Sequence, residues 1–428
     1  MSKILGVDTS TIDNISGLGV GGGGISAVPV TTDTGIVLCP VNSSLGKPFS
    51  ENELSAYDNP THMYQVSDIT TVVQMSYNAY AYGALKSNGD FYVGGWANAS
   101  YMGMSSSDAA SVVADGGMKL SLSGAVKIES HQYGFFAIKT DGTLWWCGQV
   151  SSYLNSAALG GGSTVSSNGW TQIGSDTDWH DIVTYINWPS SAMAIKGASG
   201  SRYLYATGYG TNYATGQGST STLYNWTRVK SSSGTDLNES MSVVKTSYGS
   251  SLAVSDSGKL FSWGENGYGG LGQGNTTDKP YATQVGVATN WDDCWVSRFV
   301  GLAKNTSGEM YMSTRLSSFR IEPSTDKTFT KIGTDTDYQD IRLYHKTTSS
   351  LDYTVFVKKG GSWFVSHDGV TAGRWAGSTA AAATSQGTWV ALNTVLQDND
   401  ITGTVDDIMP FESSNANSAA AVMFALSP

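Results

Sequence analysis

Two groups of aspartates are the first residues whose types and spacing could do chemistry. Asp176, Asp178 and Asp181 stand in "IGSDTDWHDI", and Asp335, Asp337 and Asp340 in "IGTDTDYQDI". Clustered carboxylates can hold Ca²⁺, a hard cation that takes oxygen ligands. The spacing lacks the glycine and the distal glutamate of a helix–loop–helix calcium site, and aspartate also caps tight turns with its own side chain. The motif therefore reads as turn structure. The histidines His62, His131, His180, His345 and His367 form no H-x-H or H-E-x-x-H pair that would point to zinc. No G-x-S-x-G is present, and the glycine runs at 21–24, 160–162 and 264–274 lack the G-K-[ST] ending of a phosphate loop. A Ser-His-Asp triad needs no adjacency in sequence, and abundant serine makes chance pairing cheap. Glycan cleavage would need two carboxylates at a set separation, which the sequence does not place. The expectation is a protein with no catalytic residues, no metal and no cofactor.

Aromatic side chains are the remaining signal. Tyr101, Tyr153, Tyr213 and Tyr268 fall in polar, glycine-containing stretches shortly after Trp96, Trp146, Tyr209 and Trp263. The earlier residue of each pair suits packing between sheets. The later one is the candidate binding residue, because aromatic rings stack on sugars and anchor protein interfaces.

These residues recur because the segments carrying them recur. "YGALKSNGDFYVGG" from Tyr82, "FFAIKTDGTLWWCG" from Phe135 and "SLAVSDSGKLFSWG" from Ser251 each read as an apolar strand, a tight turn and an aromatic strand. Related copies begin at Ala192, Gly301 and Thr354. Gly89, Gly142, Gly200, Gly258, Gly308 and Gly361 mark the turns, where glycine takes a positive φ without steric cost. The period is about 45–65 residues, and four strands at such a period are the signature of propeller blades. The C-terminal "VDDIMPFESSNANSAAAVMFAL" reads as the first two strands of a blade, and the N-terminal "TDTGIVLCPVN" as a turn and third strand. Together they predict one shared blade that removes exposed sheet edges. The fold expected is all-β: a seven-bladed β-propeller of four-stranded antiparallel blades closed by strands from both termini. Its bounds are 25–428, with the last blade shared between about 30–70 and 405–428.

"WGENGYGGLGQGN", Trp263 to Asn275, resembles the signature of the regulator-of-chromosome-condensation repeat family, a seven-bladed propeller. The "IGSDTDWHDI…AIKTDGTLWWCG" style resembles its bacterial and phage members. The resemblance spans about 30–428, with the glycine signature complete only in the fourth blade and degraded to "GWANASYMGM" in the first. Fold follows from such a resemblance more directly than function, since propellers host unrelated activities. Members include a guanine-nucleotide exchange factor, ubiquitin-ligase modules, a plant UV-B photoreceptor and secreted β-lactamase inhibitors.

Composition narrows the field. The 428-residue chain has 24 basic and 35 acidic side chains, a net charge of −11, so it repels phosphate backbones and nucleic acid is not an expected partner. No apolar run of about 18 residues predicts a membrane span. Cys39, Cys147 and Cys294 are far apart and read as free, half-buried thiols. The N-terminus lacks the pattern of a secretory signal.

Residues 1–24, "MSKILGVDTSTIDNISGLGVGGGG", do not fit the blade pattern. Ile4, Leu5, Val7, Ile12, Ile15 and Leu18 are spaced apolar residues, and Gly21–Gly24 read as a hinge. The segment reads either as a strap on the propeller or as an anchor peptide, and it resembles short leaders on structural proteins of tailed bacteriophages. The expected function is a non-enzymatic virion component, made in the host cytoplasm. Its leader would dock on other virion proteins, and its propeller would bind a host-surface glycan, a receptor or a virion neighbour, in an oligomeric assembly. The alternatives are a free protein-binding propeller of scaffold or inhibitor type and, less favoured, a glycan-cleaving enzyme.

Overall fold

The structure is a computed structural model. It describes residues 35–40, 64–67, 69–78, 81–95, 99–115, 118–131, 133–148, 167–185, 191–315, 326–345, 353–367, 390–392, 404–412 and 420–427. The leader apolar residues, Tyr153 and Trp96 lie outside them.

The fourth repeat shows how a unit forms. Met241–Ser247, Ser250–Ser255, Leu260–Gly264 and Lys279–Gln284 pair in that order, each antiparallel to the next. Ser250–Ser255 is buried along its whole length, as expected of a strand covered on both faces. Five more four-stranded sheets are likewise drawn from consecutive strands. Another combines Thr404–Glu412 and Ala420–Ser427 with Gly35–Pro40 and Tyr64–Ser67, so strands from both ends of the chain share one sheet. The architecture is a β-propeller of four-stranded antiparallel blades.

The core lies between neighbouring sheets. Phe136, Leu144 and Trp146 of one sheet pack on Trp179, Ile182 and Ala194 of the next. Met193, Leu204 and Val229 meet Val244, Ala253 and Trp263. Trp263 is fully buried and its indole Nε1–H donates to the Ala214 carbonyl at 2.9 Å. Trp146 and Trp263 thus do the inter-sheet packing expected of them.

One departure from the all-β expectation interrupts the first unit. Ala99–Met102 and Ser106–Asp115 are helical. The reason is local: Ser105 caps the second helix by accepting the Asp108 N–H at 3.1 Å, while its hydroxyl donates to the Asp108 carboxylate at 2.6 Å. Ala109 and Val112 then bury one face against Phe91 and Phe135. Cys147 and Cys294 are fully buried rather than half-buried, and burial pushes both thiols well above their ordinary range.

The repeated aspartates are explained by register. Every first strand carries a bulge at the same place: Val72/Gln74, Ala125/Lys127, Trp179/Asp181, Met241/Val243, Trp291/Asp293, Tyr338/Asp340 and Val405/Asp407. A bulge takes one residue out of the ladder. In four strands the residue after the one left out is an aspartate whose side chain accepts the next N–H: Asp181 from Ile182, Asp293 from Cys294, Asp340 from Ile341 and Asp407 from Ile408, at 2.7–2.9 Å. The earlier aspartates hold the preceding loop to the second strand, Asp176 to Lys196 and Asp335 to Lys359, both at 2.5 Å. Among the described residues no group of three or more His, Cys, Asp or Glu is placed to hold a metal ion.

His131 carries a pH prediction. It is buried at the end of Ala125–His131, takes the Tyr133 N–H on Nδ1 at 3.3 Å, and its Nε2 lies 3.2 Å from the Cys147 carbonyl. Those contacts suit the neutral ring with Nε2 protonated, and burial lowers its pKa from 6.5 to about 4. Between pH 6.5 and 4 the unfolded chain therefore binds the proton that the folded chain refuses, and stability falls as pH falls. The group's contribution lost across that window is about 3 kcal/mol. In urea denaturation at pH 6.5 and pH 4, wild type should lose about that much more stability than His131→Phe. An equal loss in both chains would refute the assignment.

Candidate functional site

Antiparallel order puts the loops joining strands one to two and three to four at the same end of every sheet. Three adjacent sheets present aromatic and arginine side chains there. In the fourth unit the turn between Met241–Ser247 and Ser250–Ser255 holds Tyr248 at φ +47°, an uncommon conformation for a non-glycine residue. The Tyr185 ring, from the loop after Trp179–Thr184, meets Tyr248 edge-on at 5.8 Å. The Arg298 guanidinium also stacks over the Tyr248 ring, at 3.9 Å. Arg298 comes from the turn between Trp291–Val296 and Gly301–Asn305 of the next sheet.

The row continues through Tyr268, whose ring lies 4.5 Å from Phe299, 5.8 Å from the Arg298 guanidinium and 5.1 Å from that of Arg315. The glycine-rich loop after Leu260–Gly264 sets this position. Asn266 Oδ1 accepts the Leu271 N–H at 3.1 Å, and the Tyr268 carbonyl accepts the Arg315 N–H at 2.7 Å. Arg298 Nε lies 3.8 Å from the Glu265 carboxylate, too long for a hydrogen bond. Arg298 Nε and Glu265 Oε2 are buried atoms without a hydrogen-bond partner among the described residues. Burial, with Asp278 nearby, holds the Glu265 carboxyl above its ordinary range despite Arg298. The arrangement can recognise surfaces, because planar guanidinium and ring faces are fixed in place.

Of the tyrosines singled out in the sequence, Tyr268 is central to this row and half-buried. Tyr213 is half-buried at φ +61° in the short 3₁₀ turn Thr211–Tyr213, on the same end of the third unit. Tyr101 corrects the expectation of a loop residue. It lies in the helix Ala99–Met102, is buried, and packs 5.9 Å from Tyr133. It lacks the free ring face that a binding residue needs. Tyr153 lies outside the described residues. Sequence reasoning missed Tyr185, Tyr248, Arg298 and Arg315. Arg298 had a weak signal, a charged residue at the turn where an apolar "WVSRFVGL" run reverses.

The fold agrees with that of known proteins. Residues 257–291 match the Regulator of chromosome condensation (RCC1) repeat, and they span the turn, third strand and glycine-rich loop of the fourth unit. The fold is similar to that of human WBSCR16, at 12% identity over 91% of this chain and 98% of that one, with a TM-score of 0.61. It is also similar to Prp20p from Saccharomyces cerevisiae, at 10% identity over 94% of each chain and a TM-score of 0.60. Yeast RCC1 (Prp20) bound to Kap60 matches at 11% identity, over 94% of this chain and 91% of that one, with a TM-score of 0.60. The chain is therefore an RCC1-like β-propeller in fold. No helix among the described residues is long and apolar enough to cross a membrane.

Proposed function

We propose that this protein is a non-catalytic protein-binding module that engages its partner through the Tyr248–Arg298–Tyr268–Arg315 row. The observation that carries the reading is the half-exposed guanidinium of Arg298, held over Tyr248 and close to Tyr268. Arginine and tyrosine dominate the energetics of protein interfaces. The yeast neighbours are described with protein partners, Gsp1p, histones and Kap60, which supports the same class of partner here.

In its finer form the proposal is a component of a tailed-bacteriophage virion, with the sheet shared by the two ends of the chain as the seventh blade of a closed ring. The leader resemblance at residues 1–24 supports the virion reading, and the shared sheet supports the closure. Particles built with a chain lacking residues 1–24 should lack the protein, and particles that retain it would remove the anchor role.

The binding claim is tested by capture with the full chain and with Arg298→Ala and Tyr268→Ala. A partner taken by wild type should bind each variant at least about tenfold more weakly, with the melting temperature held. Undiminished capture by both variants would overturn the use of this face.

A further inference from the structure

The first strands of the sheets surround a central channel holding a cavity of about 350 Å³. Its lining includes Lys127, Lys245 and Arg342, with Glu129 as the carboxylate among them. Of the acids at the bulge positions, Asp293 accepts the Cys294 N–H and feels Lys245 from beyond 4 Å, and the other three are spent on the wall and on two of the cations. Asp407 accepts from Ile408 and Met75 backbone N–H groups and from Arg342 at 3.1 Å. Asp340 accepts from Ile341 and from Arg342 at 2.6 Å. Asp181 binds Ile182 and Lys127, the latter at 3.1 Å.

Lys245 is different. Its strand carries Val243 at the bulge position that holds aspartate in four other strands, so no acid from its own bulge faces it. No hydrogen bond or ion pair within 4 Å joins its ammonium to any described residue. Asp293 and Glu129 influence it only at longer range. A half-buried ammonium beside a polar cavity without a close counter-charge is a place for an anion.

We propose that the channel binds a small free oxyanion, a carboxylate or phosphate, on the Lys245 ammonium. Ser76 and Thr246 line the same cavity, the Thr246 hydroxyl being engaged with the Ser250 carbonyl and the Ser251 hydroxyl.

Glu129 makes the site proton-linked. It faces Lys127 on its own strand, Asp181 and the Thr184 N–H, which it accepts, from the neighbouring sheet, and Lys245 from the sheet beyond. Burial dominates and raises its pKa to about 7. An ionised Glu129 repels the incoming anion, whereas the neutral acid tolerates it and can donate a hydrogen bond. Binding therefore draws one proton from solvent near neutral pH.

The test is isothermal titration of the full chain with inorganic phosphate and, separately, succinate, at pH 6 and pH 8. The expected result is saturable binding about tenfold tighter at pH 6, following the protonated fraction of Glu129. Phosphate itself changes charge through this range, whereas succinate is already mostly the dianion at pH 6, so succinate carries the pH comparison. Lys245→Met should abolish binding, Lys245→Arg should keep it, and Glu129→Gln should flatten the pH dependence. If Lys245→Met does not fold, the Lys245→Arg and Glu129→Gln titrations decide alone. Absence of saturable heat with both anions, or binding unaltered in Lys245→Met, would overturn the proposal.

Discussion

Asp407→Ala is expected to lower the unfolding free energy by about 3–5 kcal/mol, the range for removing one partner of a buried ion pair. Asp407 lies in Thr404–Glu412, in the sheet that unites both ends of the chain, and its side chain is 6% exposed. One oxygen receives Arg342 Nη2 from the neighbouring sheet on one side, at 3.1 Å. The other receives the Met75 N–H from the neighbouring sheet on the other side, at 2.8 Å. A single carboxylate thus joins three sheets at the place where the chain's ends meet. Alanine leaves the Met75 and Ile408 N–H groups without these acceptors and leaves Arg342 with Asp340 alone. Asp407→Asn keeps an acceptor and should cost about 1–3 kcal/mol. Equilibrium urea denaturation measures both. A loss below about 1 kcal/mol for the alanine variant would show that the sheet is held by its strand pairing alone.

A second large effect is expected from a single methyl group. Gly258 turns between Ser255 and Leu260 at φ +75°. A Cβ built on it would stand 2.2 Å from the Thr289 carbonyl oxygen, which is backbone of the loop leading to the next sheet. The Gly258 carbonyl also accepts the Trp291 N–H at 3.0 Å, so the turn cannot move away without breaking the link between units. Gly258→Ala should therefore cost about 3–5 kcal/mol, the sum of left-handed strain and a backbone clash. Gly200 supplies the control. It has nearly the same φ, +77°, with nothing within 4 Å of its built Cβ. Gly200→Ala should cost only the conformational part, about 1–2 kcal/mol. Similar losses at the two sites would show that conformation, not contact with the next unit, is what glycine supplies there.

Much of this architecture is legible in the chain. Alternating apolar strands and turn glycines state the hairpins, because a buried hairpin needs both whatever surrounds it. Val405-to-Ile408 and Gly35-to-Pro40 match parts of a repeat in the sequence alone. The repeated Asp–Ile pairs were legible as a pattern but not as a role. Asp181 and Asp340 look alike in sequence, and only the bulge register shows that each satisfies the N–H of its neighbour while meeting a cation from another residue.

The candidate site was legible in one residue, Tyr268, through the glycine-rich loop that carries it. Tyr101 misled because a short capped helix replaced the expected loop, and its ring turned inward against Tyr133. Tyr248, Arg298 and Arg315 lie far apart in sequence and come together only when turns of adjacent sheets share one end.

The sequence by itself determined the repeating hairpin, its glycine turns and its aromatic packing residues, because these follow from interactions within a few positions of the chain. Only the tertiary structure decided which charges are paired, which arginine lies on which ring, and that Lys245 has no close counter-charge. Those outcomes depend on strand register between sheets, where a shift of one residue turns every side chain to the opposite face.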